Sequence, residues 1–454
     1  MHRKYIPFLT NWFKSSHRLP LVIRGARQVG KTWLVRHFAK LQGLTLIELN
    51  FEANNELVSL FKSNDPSRII QNIETFLNIR KINPAQSLLF LDEIQVAPAL
   101  YAKLRWFAEN MPELPVIAAG SLLEFIFNKQ NEPMSMPVGR VAYMYIEPLS
   151  FEEFLQGINK PMLADFLQRF TWNDELPEVI HNELTYYFKE YLIVGGMPAA
   201  VSVWSSTRSL QEVSNIQQNI ISSFIGDFHK YAGRLNPDII EKTMKHIPFN
   251  LGKKFVYSKV TQETQGPTLK KALELLIKAR ICYQVISTDA NGIPLEAEKN
   301  EKFIKVVFLD VGLCMAGLKL SLHDVQEVAE INLINSGGIA EQIVAQLLRT
   351  IEPPFIDPQL FYWLRPTADA EIDYVIQHRS LVVPIEVKAG KAGSLKSLHY
   401  FMSIKKRSLA IRIYSGKPIE SDKIQMKDLK DQPVLYTLRS IPFYLIGQLH
   451  RLCD

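Results

Sequence analysis

The residue types with the clearest chemistry lie near the amino end, where Gly25 and Gly30 are followed directly by Lys31 and Thr32. This order fits the pattern G-x-x-x-x-G-K-[ST] of a P-loop, in which the glycines let the backbone curl so that successive N–H groups face a phosphate. Lys31 can reach the outer phosphates, and the Thr32 hydroxyl can bind Mg²⁺. The segment therefore predicts a site for ATP and Mg²⁺. The predicted nucleotide-binding residues are Gly25, Ala26, Arg27, Gln28, Val29, Gly30, Lys31, Thr32 and Trp33.

A P-loop needs a carboxylate to hold its metal, and Asp92 and Glu93 follow the apolar run at 87–91. A buried parallel strand delivers acidic side chains at its carboxyl end, which is the expected geometry in an open α/β sheet. Asp92 is therefore predicted to hold Mg²⁺ through water. Glu93 is predicted to polarise the attacking water as a general base.

Two further polar residues complete the predicted catalytic set of Glu93, Lys31, Ser121 and Arg140. Ser121 follows the apolar run at 115–119, and it can either donate a hydrogen bond to the γ-phosphate or the attacking water, or simply cap a helix. Arg140 can neutralise charge on the transferring phosphoryl group, in its own subunit or in a neighbouring one. Both pairs of alternatives stay open.

A second group of chemically active residues lies in the last third, where Asp373 precedes Glu386 and Lys388. Alternate positions of a strand share one face, so Glu386 and Lys388 point the same way, and Asp373 can lie beside them on the adjacent strand. Carboxylates that bind Mg²⁺ beside a lysine that orients water would make a phosphodiesterase site. The alternative is a fold kept as a scaffold without cleavage.

The elements that must position the P-loop are a strand before it and a helix after it. Residues 21–25 form a short apolar run, and residues 33–43 carry apolar side chains at helical spacing before a glycine stop. The runs at 87–91 and 115–119 predict two more buried strands. The sequence therefore predicts a parallel sheet with helices, whose carboxyl edge collects the site residues.

Four strings carry a resemblance that goes beyond the P-loop: GARQVGKT, LLFLDEIQ, EPLSFEEF and YLIVGGMP. Together they resemble a family of bacterial and archaeal AAA-type P-loop ATPases, and the similarity extends over nearly the whole chain. The resemblance implies ATP hydrolysis, and because such ATPases often complete the site across a subunit boundary, a homo-oligomer is expected. It also implies a winged helix in the middle of the chain and a PD-(D/E)XK restriction-endonuclease-like fold at the carboxyl end. In that fold Glu341 matches an additional acidic ligand, so the nuclease-like set is Glu341, Asp373, Glu386 and Lys388.

The expected fold class is α/β with several domains, since 454 residues correspond to about three domains. An N-terminal P-loop AAA-type parallel sheet with helices is followed by a helical and winged-helix region and a C-terminal α/β restriction-endonuclease-like domain. The predicted boundaries are 1–155 for the ATPase core, 156–235 for a helical lid or linker, 236–325 for the winged-helix-like domain and 326–454 for the nuclease-like domain.

The charge is distributed unevenly along the chain. There are 52 Lys and Arg against 46 Asp and Glu, and the net charge of +6 permits a polyanion partner without demanding one. The segment from Lys242 to Arg280 has nine basic and two acidic residues, and the segment from Lys388 to Arg412 has seven basic and no acidic ones. Both are predicted to contact nucleic acid, with Lys270 and Lys271 at the start of a recognition helix. The alternative is a packing or dimerisation module with solvated lysines.

The composition excludes several classes of protein. Hydrophobic residues make up 47% and charged residues 22%, so the chain as a whole is neither disordered nor a coiled coil. Cys282, Cys314 and Cys453 have no metal-binding spacing and are expected to be reduced thiols. The amino end does not resemble a secretory signal, and no run of 18 apolar residues occurs, so a cytoplasmic protein without membrane contact is expected.

Three functions stay open from the sequence. The first is an ATP-hydrolysing AAA-type protein whose C-terminal nuclease-like module contacts nucleic acid. The second is a nucleotide-gated DNA-binding or regulatory protein without cleavage. The third is a metal-dependent nuclease licensed by ATP.

Overall fold

The polypeptide forms two β-sheets with helices packed around and between them. In the computed structural model, the described residues are 2–121, 139–233, 235–320, 337–365, 370–388, 395–427 and 432–454. The predicted boundary between residues 325 and 326, and Lys391 of the second basic segment, lie outside these ranges.

The first sheet is parallel, with the strand order β2-β3-β4-β1-β5. Its strands are β1 (Leu21–Arg24), β2 (Thr45–Asn50), β3 (Ser87–Asp92), β4 (Val116–Ala119) and β5 (Ala142–Tyr145). The strands predicted at 21–25, 87–91 and 115–119 are therefore confirmed to within one residue. Because the strands run in one direction, their carboxyl ends meet at one edge, and the P-loop follows β1 at that edge.

Helices cover both faces of this sheet, because its strands bury apolar side chains on both sides. In α2, which the apolar spacing predicted, Leu34, Val35 and Phe38 are fully buried, and Gly43 ends the helix in a left-handed conformation. The helices are α1 (Ile6–Lys14), α2 (Lys31–Gln42), α3 (Pro66–Leu77), α4 (Ala99–Asn110), α5 (Phe151–Gly157), α6 (Pro161–Arg169), α7 (Glu178–Val194), α8 (Pro198–Thr207), α9 (Leu210–Tyr231), α10 (Pro237–His246), α11 (Gly266–Lys278), α12 (Val311–Leu318), α13 (Gly338–Ile351), α14 (Lys396–Lys405) and α15 (Leu449–Cys453).

The second sheet is mixed, with the strand order β12-β13-β11-β10-β9-β8-β6-β7. Its strands are β6 (Cys282–Thr288), β7 (Lys299–Phe308), β8 (Leu360–Arg365), β9 (Ala370–His378), β10 (Leu381–Val387), β11 (Leu409–Tyr414), β12 (Ile419–Lys427) and β13 (Pro433–Pro442). The strands β8, β9 and β10 form an antiparallel meander, and β11 joins β10 in parallel after the crossover helix α14. The carboxyl-terminal part of the chain is therefore α/β.

The sequence predicts the runs ICYQVIS and FIKVVFLD as the two strands of a wing. In the structure these runs form β6 and β7 of the second sheet. β6 pairs in parallel with β8 on one side and antiparallel with β7 on the other. Both faces of β6 are largely buried, and such a strand is stable only with partners on either side and cover above and below. The sheet therefore crosses the predicted division between 236–325 and 326–454.

Helix α13 lies at the centre of the molecule. Its residues from Gly338 to Thr350 are all buried except Glu341. The buried amide of Gln342 forms two hydrogen bonds with the backbone of Phe308. It donates to the carbonyl oxygen at 2.9 Å and accepts from the N–H at 2.7 Å. One continuous apolar core joins α13 to the first sheet and to the second, so the helix packs against both.

Two element boundaries differ from what the sequence predicts. The sequence predicts Thr268 as the cap of the helix that carries Lys270 and Lys271, but α11 begins at Gly266, because Pro267 fits the first helical turn, where its missing N–H has no partner to lose. The sequence also predicts a turn at 377–380 between β9 and β10, but the turn consists of Arg379 and Ser380 alone, with Arg379 in the left-handed region at φ 51°.

Two expectations from composition concern thiols and membranes. Cys282, Cys314 and Cys453 are free and buried, and burial raises the pKa of each thiol. Within the part of the chain that the structure describes, no helix is both long and apolar enough to cross a bilayer.

Candidate functional site

The P-loop has a backbone that its glycines make possible. A Cβ at Gly25 would lie 2.5 Å from the carbonyl oxygen of Ile146, so a side chain at this position would displace the loop. Gly30 has φ +93° and ends the loop where α2 begins. Gln28 also has a positive φ, of 65°, which turns the peptide groups between the two glycines. The sequence motif thus forms a tight curl at the amino end of α2, where anions bind favourably.

Most side chains of the loop are engaged by the protein itself. Ala26 and Val29 are fully buried. Arg27 forms an ion pair with Asp227 on α9, and the Gln28 amide donates to the Ser223 hydroxyl on α9 at 3.0 Å. These predicted nucleotide-binding residues can therefore offer backbone N–H groups to a phosphate more readily than side chains.

Lys31 and Thr32 are the side chains placed for phosphate and metal. The Lys31 ammonium donates to the carbonyl oxygens of Gly25 at 3.0 Å and Ala26 at 2.7 Å, so it lies folded over the loop. Trp33, one residue further on, is partly exposed and stacks on His37 with ring centroids 4.5 Å apart.

Asp92 joins the P-loop to the end of β3. The Thr32 hydroxyl donates to its Oδ2 at 2.9 Å, and the Asn50 amide, on the neighbouring strand β2, donates to the same oxygen at 3.4 Å. Burial, followed by the nearby charge of Glu93, raises the pKa of Asp92 to about 6. A hydroxyl and a carboxylate side by side fit Mg²⁺, which prefers oxygen ligands. The sequence analysis does not predict the hydrogen bond between Asn50 and Asp92. The position of Asn50 at the end of β2, next to the end of β3, could have indicated it.

Glu93 lies beside this junction in a left-handed conformation, with φ +54°. Its N–H donates to the Asp92 carboxylate at 3.1 Å, which fixes the turn after β3. The Gln95 amide donates to Glu93 Oε2 at 2.5 Å, so Gln95 holds the predicted base. Sequence reasoning missed this role for Gln95, although the residue stands in the string LLFLDEIQ.

Ser121 and Arg140 lie at opposite edges of the first sheet. Ser121 is buried just after the carboxyl end of β4, on the same edge as the P-loop. Arg140 precedes the amino end of β5, which runs parallel to β1, and its Nε donates to Glu109 at 2.8 Å. A role for Arg140 at the P-loop of its own chain therefore does not fit the topology, because the length of β5 separates it from that edge. Action in a neighbouring subunit stays a prediction.

The four nuclease-like residues do converge at the second sheet. The Asp373 carboxylate accepts the N–H of Val387 at 2.7 Å, which places Asp373 beside the strand that carries Glu386. The Lys388 ammonium pairs with Glu386 Oε1 at 2.8 Å, so these two side chains share a face as predicted. Glu341, from α13, faces the same cluster, where it pairs with Lys305. After burial, its charge also raises the pKa of both Asp373 and Glu386.

Two residues that sequence reasoning missed occupy the same cluster. Lys305 on β7 pairs with Glu341 Oε2 at 2.9 Å, and it also contacts the carboxylate of Glu371 on β9. Its side chain is only 3% exposed. The position of Lys305 among consecutive buried apolar residues of β7 is a signal for this role, but the sequence predicts the strand as part of a separate wing.

This acidic centre, defined as Lys305, Glu341, Glu371, Asp373, Glu386 and Lys388, does not fit the expected Mg²⁺ site. Among the described residues, no group of three or more His, Cys, Asp or Glu side chains is arranged to hold a metal ion. Lys305 lies among the carboxylates instead. The predicted residues are brought together, but not as a set of metal ligands.

The basic segments are less available than the sequence suggested. Arg280 is buried and pairs with Asp357 at 2.9 Å. Lys405 and Arg407 bond to the turn at 290–291, and Lys388 belongs to the acidic centre. These basic residues are therefore engaged within the protein, and contact of the two segments with nucleic acid stays a prediction. The exposed lysines of the first segment are Lys242, Lys245, Lys253, Lys254, Lys259, Lys270 and Lys271.

Comparison with protein-family models identifies the amino-terminal part. Residues 17–155 match the model of the AAA domain, AAA_14. The matched segment contains the whole first sheet and every predicted residue of the nucleotide site, from Gly25 to Arg140.

Two further family models follow the AAA domain along the chain. Residues 185–324 match a domain of unknown function, DUF8612, and residues 336–427 match another, DUF4143. The acidic centre draws on both matches, because Lys305 lies in the first and the four carboxylates lie in the second.

Several solved structures are similar to this chain at low sequence identity. The Walker-type ATPase PABY2304 of Pyrococcus abyssi is 16% identical with a TM-score of 0.42, covering 70% of this chain and 95% of that one. The RuvB Holliday junction branch migration motor of Thermotoga maritima is 13% identical with a TM-score of 0.29, covering 62% and 87%. The AMPPCP-bound DnaA from Aquifex aeolicus is 14% identical with a TM-score of 0.25, covering 60% and 85%. Comparison with curated proteins found no match.

Proposed function

We propose that this protein binds ATP with Mg²⁺ in its P-loop and hydrolyses it. The observation that carries the proposal is the hydrogen bond from the Thr32 hydroxyl to Asp92, because it joins the end of the P-loop to the acidic end of β3. Glu93 is the next residue, so a candidate base stands beside the candidate metal ligands. The AAA match over residues 17–155 supports the same function.

Each side chain has a separate task in this proposal. When the nucleotide binds, the Lys31 ammonium moves from the carbonyl oxygens of Gly25 and Ala26 to phosphate oxygens. Its hydrogen bonds then become stronger, because the new acceptors are charged. Thr32 and Asp92 would hold Mg²⁺, which neutralises charge on the phosphates when it is bound. Glu93 takes the proton of the attacking water. Ser121 lies on the same edge and donates to the γ-phosphate or to that water.

The test of hydrolysis uses Glu93→Gln, which keeps the shape of the side chain and removes its basicity. We expect ATP to bind normally and phosphate release to fall about 10²-fold or more, the usual contribution of a general base. Nucleotide retained on a filter and phosphate released are measured together. The control is Glu56→Gln, an exposed residue of the same domain, which should change neither. Unchanged turnover in Glu93→Gln would remove Glu93 from its role, and no uptake of ATP by the wild type in calorimetry would overturn the function itself.

We further propose that the nucleotide state is passed to the second sheet through a buried chain of polar contacts. Arg3 donates to the carbonyl oxygen of Glu147 at 2.8 Å and lies 3.4 Å from the carbonyl oxygen of Val29 in the P-loop. The Glu147 carboxylate accepts from Arg349 on α13 at 3.0 Å and from the Tyr283 hydroxyl on β6 at 2.7 Å. These contacts connect the P-loop, the central helix and the second sheet.

The burial of this chain supports its role in coupling. The side chains of Arg349 and Glu147 are 0% and 3% exposed. A buried ion pair tolerates little displacement, because separation leaves a charge without compensation in a region of low polarity. Movement of the P-loop around a nucleotide would therefore carry α13 with it rather than be absorbed by side-chain rotation.

A second candidate function, nucleic-acid binding, is favoured by the seven exposed lysines between residues 242 and 271. Lys270 and Lys271 lie in the first turns of α11. The ion pair between Lys270 and Glu274 is long, at 4.0 Å, and exposed, so it contributes little to stability. Phosphates could therefore displace such pairs at low cost. We propose contact with the phosphate backbone, without reading of bases.

A further inference from the structure

The acidic centre already contains a cation supplied by the protein. The Lys305 ammonium pairs with Glu341 at 2.9 Å and with Glu371, and the negative charge of Asp373 also acts on it. It also lies 5.2 Å from the centre of the Tyr362 ring, which adds a cation–π contact. Carboxylates on two elements, α13 and β9, therefore face this ammonium group.

The carboxylates are positioned by this arrangement in ways that leave little freedom to rotate toward a metal. Glu341 has one oxygen on Lys305 and the other close to Gly252, where a Cβ would lie only 2.6 Å away. One oxygen of Asp373 accepts the N–H of Val387 at 2.7 Å. Glu386 has one oxygen on Lys388, and its buried Oε2 has no hydrogen-bond partner among the described residues.

A divalent cation would have to enter beside the ammonium groups of Lys305 and Lys388. Two positive charges a few ångströms apart in a buried site repel each other strongly, since screening by water is weak there. The described residues also contain no group of three metal-ligand side chains with suitable geometry. The centre is thus already partly neutralised, and with Lys305 in place its carboxylates do not form the ligand arrangement that a divalent ion needs.

We propose that Lys305 is the built-in cation of the acidic centre and takes the place that a divalent metal would occupy. The centre then holds the protein together instead of binding metal. Lys305 comes from the segment 185–324, and its partners come from the segment 336–427, so the ion pairs join two segments matched by different family models. The strand β7 is the last in the order of the sheet, and these ion pairs join it to α13 and β9.

The proposal is tested by Mn²⁺ binding, measured as loss of the free Mn²⁺ signal in electron paramagnetic resonance. All proteins carry Asp92→Asn and are kept free of nucleotide, so that the P-loop contributes no metal site. We expect the parent to bind no Mn²⁺ at the acidic centre, and Lys305→Met to gain one ion per chain. Adding Asp373→Asn to Lys305→Met should abolish the gain. The matched control is Lys302→Met, an exposed lysine of the same strand, which should bind no more than the parent.

Two results would overturn the proposal. One is Mn²⁺ binding by the parent that disappears with Asp373→Asn, because metal and Lys305 would then coexist. The other is a folded Lys305→Met protein, judged by near-ultraviolet circular dichroism, that gains no Mn²⁺ site.

If Lys305→Met does not fold, the Asp92→Asn protein with Lys305 intact decides the question through its melting temperature. The proposal requires that EDTA and Mn²⁺ leave the melting temperature unchanged, while Glu371→Gln lowers it by weakening the hold on a buried ammonium. A shift with EDTA or Mn²⁺ that Asp373→Asn removes, or plasmid nicking with Mn²⁺ that Asp373→Ala abolishes, would contradict it.

Discussion

Asp92 stands where the P-loop meets β3, and its surroundings disfavour its own charge. Its carboxylate is buried, and Glu93 adds a second negative charge beside it, so its pKa is about 6. The hydrogen bonds from the Thr32 hydroxyl and the Glu93 N–H lower the pKa of Asp92, but they offset the effects of burial and of the Glu93 charge only in part. A group with this balance is poised for a bound cation, because a positive ion relieves both burial and repulsion.

The raised pKa of Asp92 predicts a specific dependence of stability on pH. An ordinary Asp has a pKa near 3.8, so above about pH 6 the folded protein holds a charge that the unfolded chain carries more easily. Since each tenfold change in proton affinity corresponds to about 1.4 kcal/mol, the ionised carboxylate costs up to about 3 kcal/mol. We expect Asp92→Asn to be more stable than the wild type at pH 7.5, with the gain disappearing as the pH falls to about 4.

Urea unfolding without nucleotide or Mg²⁺ at several pH values measures this difference. Asp65→Asn, in which the replaced side chain is exposed and caps α3, should show no comparable gain at pH 7.5. A difference between Asp92→Asn and the wild type that does not change with pH would contradict the assignment of the raised pKa.

At the scale of elements, two of the strings that carry the resemblance, EPLSFEEF and YLIVGGMP, connect neighbouring parts of the fold. Ser150 and Glu153 in EPLSFEEF bond to each other's backbone and begin α5. The N–H of Gly196 in YLIVGGMP donates to Asp310 at 2.6 Å, and a Cβ at Gly196 would lie 2.3 Å from the carbonyl oxygen of Leu149. The two strings therefore pack against each other, which explains their residue types without any chemistry.

The helix α11 carries the prediction for nucleic-acid binding. If its lysines contact phosphates, Lys270→Ala with Lys271→Ala should weaken DNA binding at all sequences and reduce the slope of log affinity against log salt by roughly 2, about 1 for each contact. Fluorescence anisotropy of labelled DNA over a range of salt concentrations measures both quantities.

The control for α11 replaces Lys62 and Lys81, two exposed lysines of the AAA domain, with alanine. Equal loss of affinity in both double variants would indicate non-specific attraction to net charge. DNA binding that is unaffected by Lys270→Ala and Lys271→Ala would favour a packing or dimerisation role for this helix.

At the scale of the whole molecule, α13 is the element that both sheets share. Arg349 connects it to Glu147 after β5, and Glu341, on the same helix, connects it to Lys305 and the second sheet. One apolar core surrounds the helix on both sides. The described parts of the chain that make up this core therefore pack around one helix, although three family models divide the sequence.

Arg349→Met is the variant that tests this coupling. Because it leaves the Glu147 carboxylate buried without its cation, we expect the free energy of unfolding to fall by about 3–5 kcal/mol. ATP binding should persist, while the change in hydrogen exchange of α13 on adding ATP should be lost. The change in exchange separates a coupling role from a merely structural one.

The control is Arg105→Met, which breaks an exposed ion pair with Glu109 and should cost less than about 1 kcal/mol. In the double variant Glu147→Gln with Arg349→Met, part of the stability should return, because no buried charge is left alone. A nucleotide-dependent change in α13 that survives Arg349→Met would disprove transmission through this ion pair.

The sequence by itself determined the elements of the nucleotide site. The glycine positions, the helical spacing after Lys31 and the buried run before Asp92 are local patterns, and backbone sterics and solvent exclusion act on them locally. For the same reason, the alternation at Glu386 and Lys388 was enough to place these side chains on one face.

Only the tertiary structure decided the pairings between distant segments. Arg140 and the P-loop are fixed to opposite edges by the parallel register of β1 and β5. Lys305 enters the acidic centre because β6 joins β8 instead of forming a free wing. Such contacts depend on which strands become neighbours, and that choice is made by burial over the whole molecule, which no local pattern records.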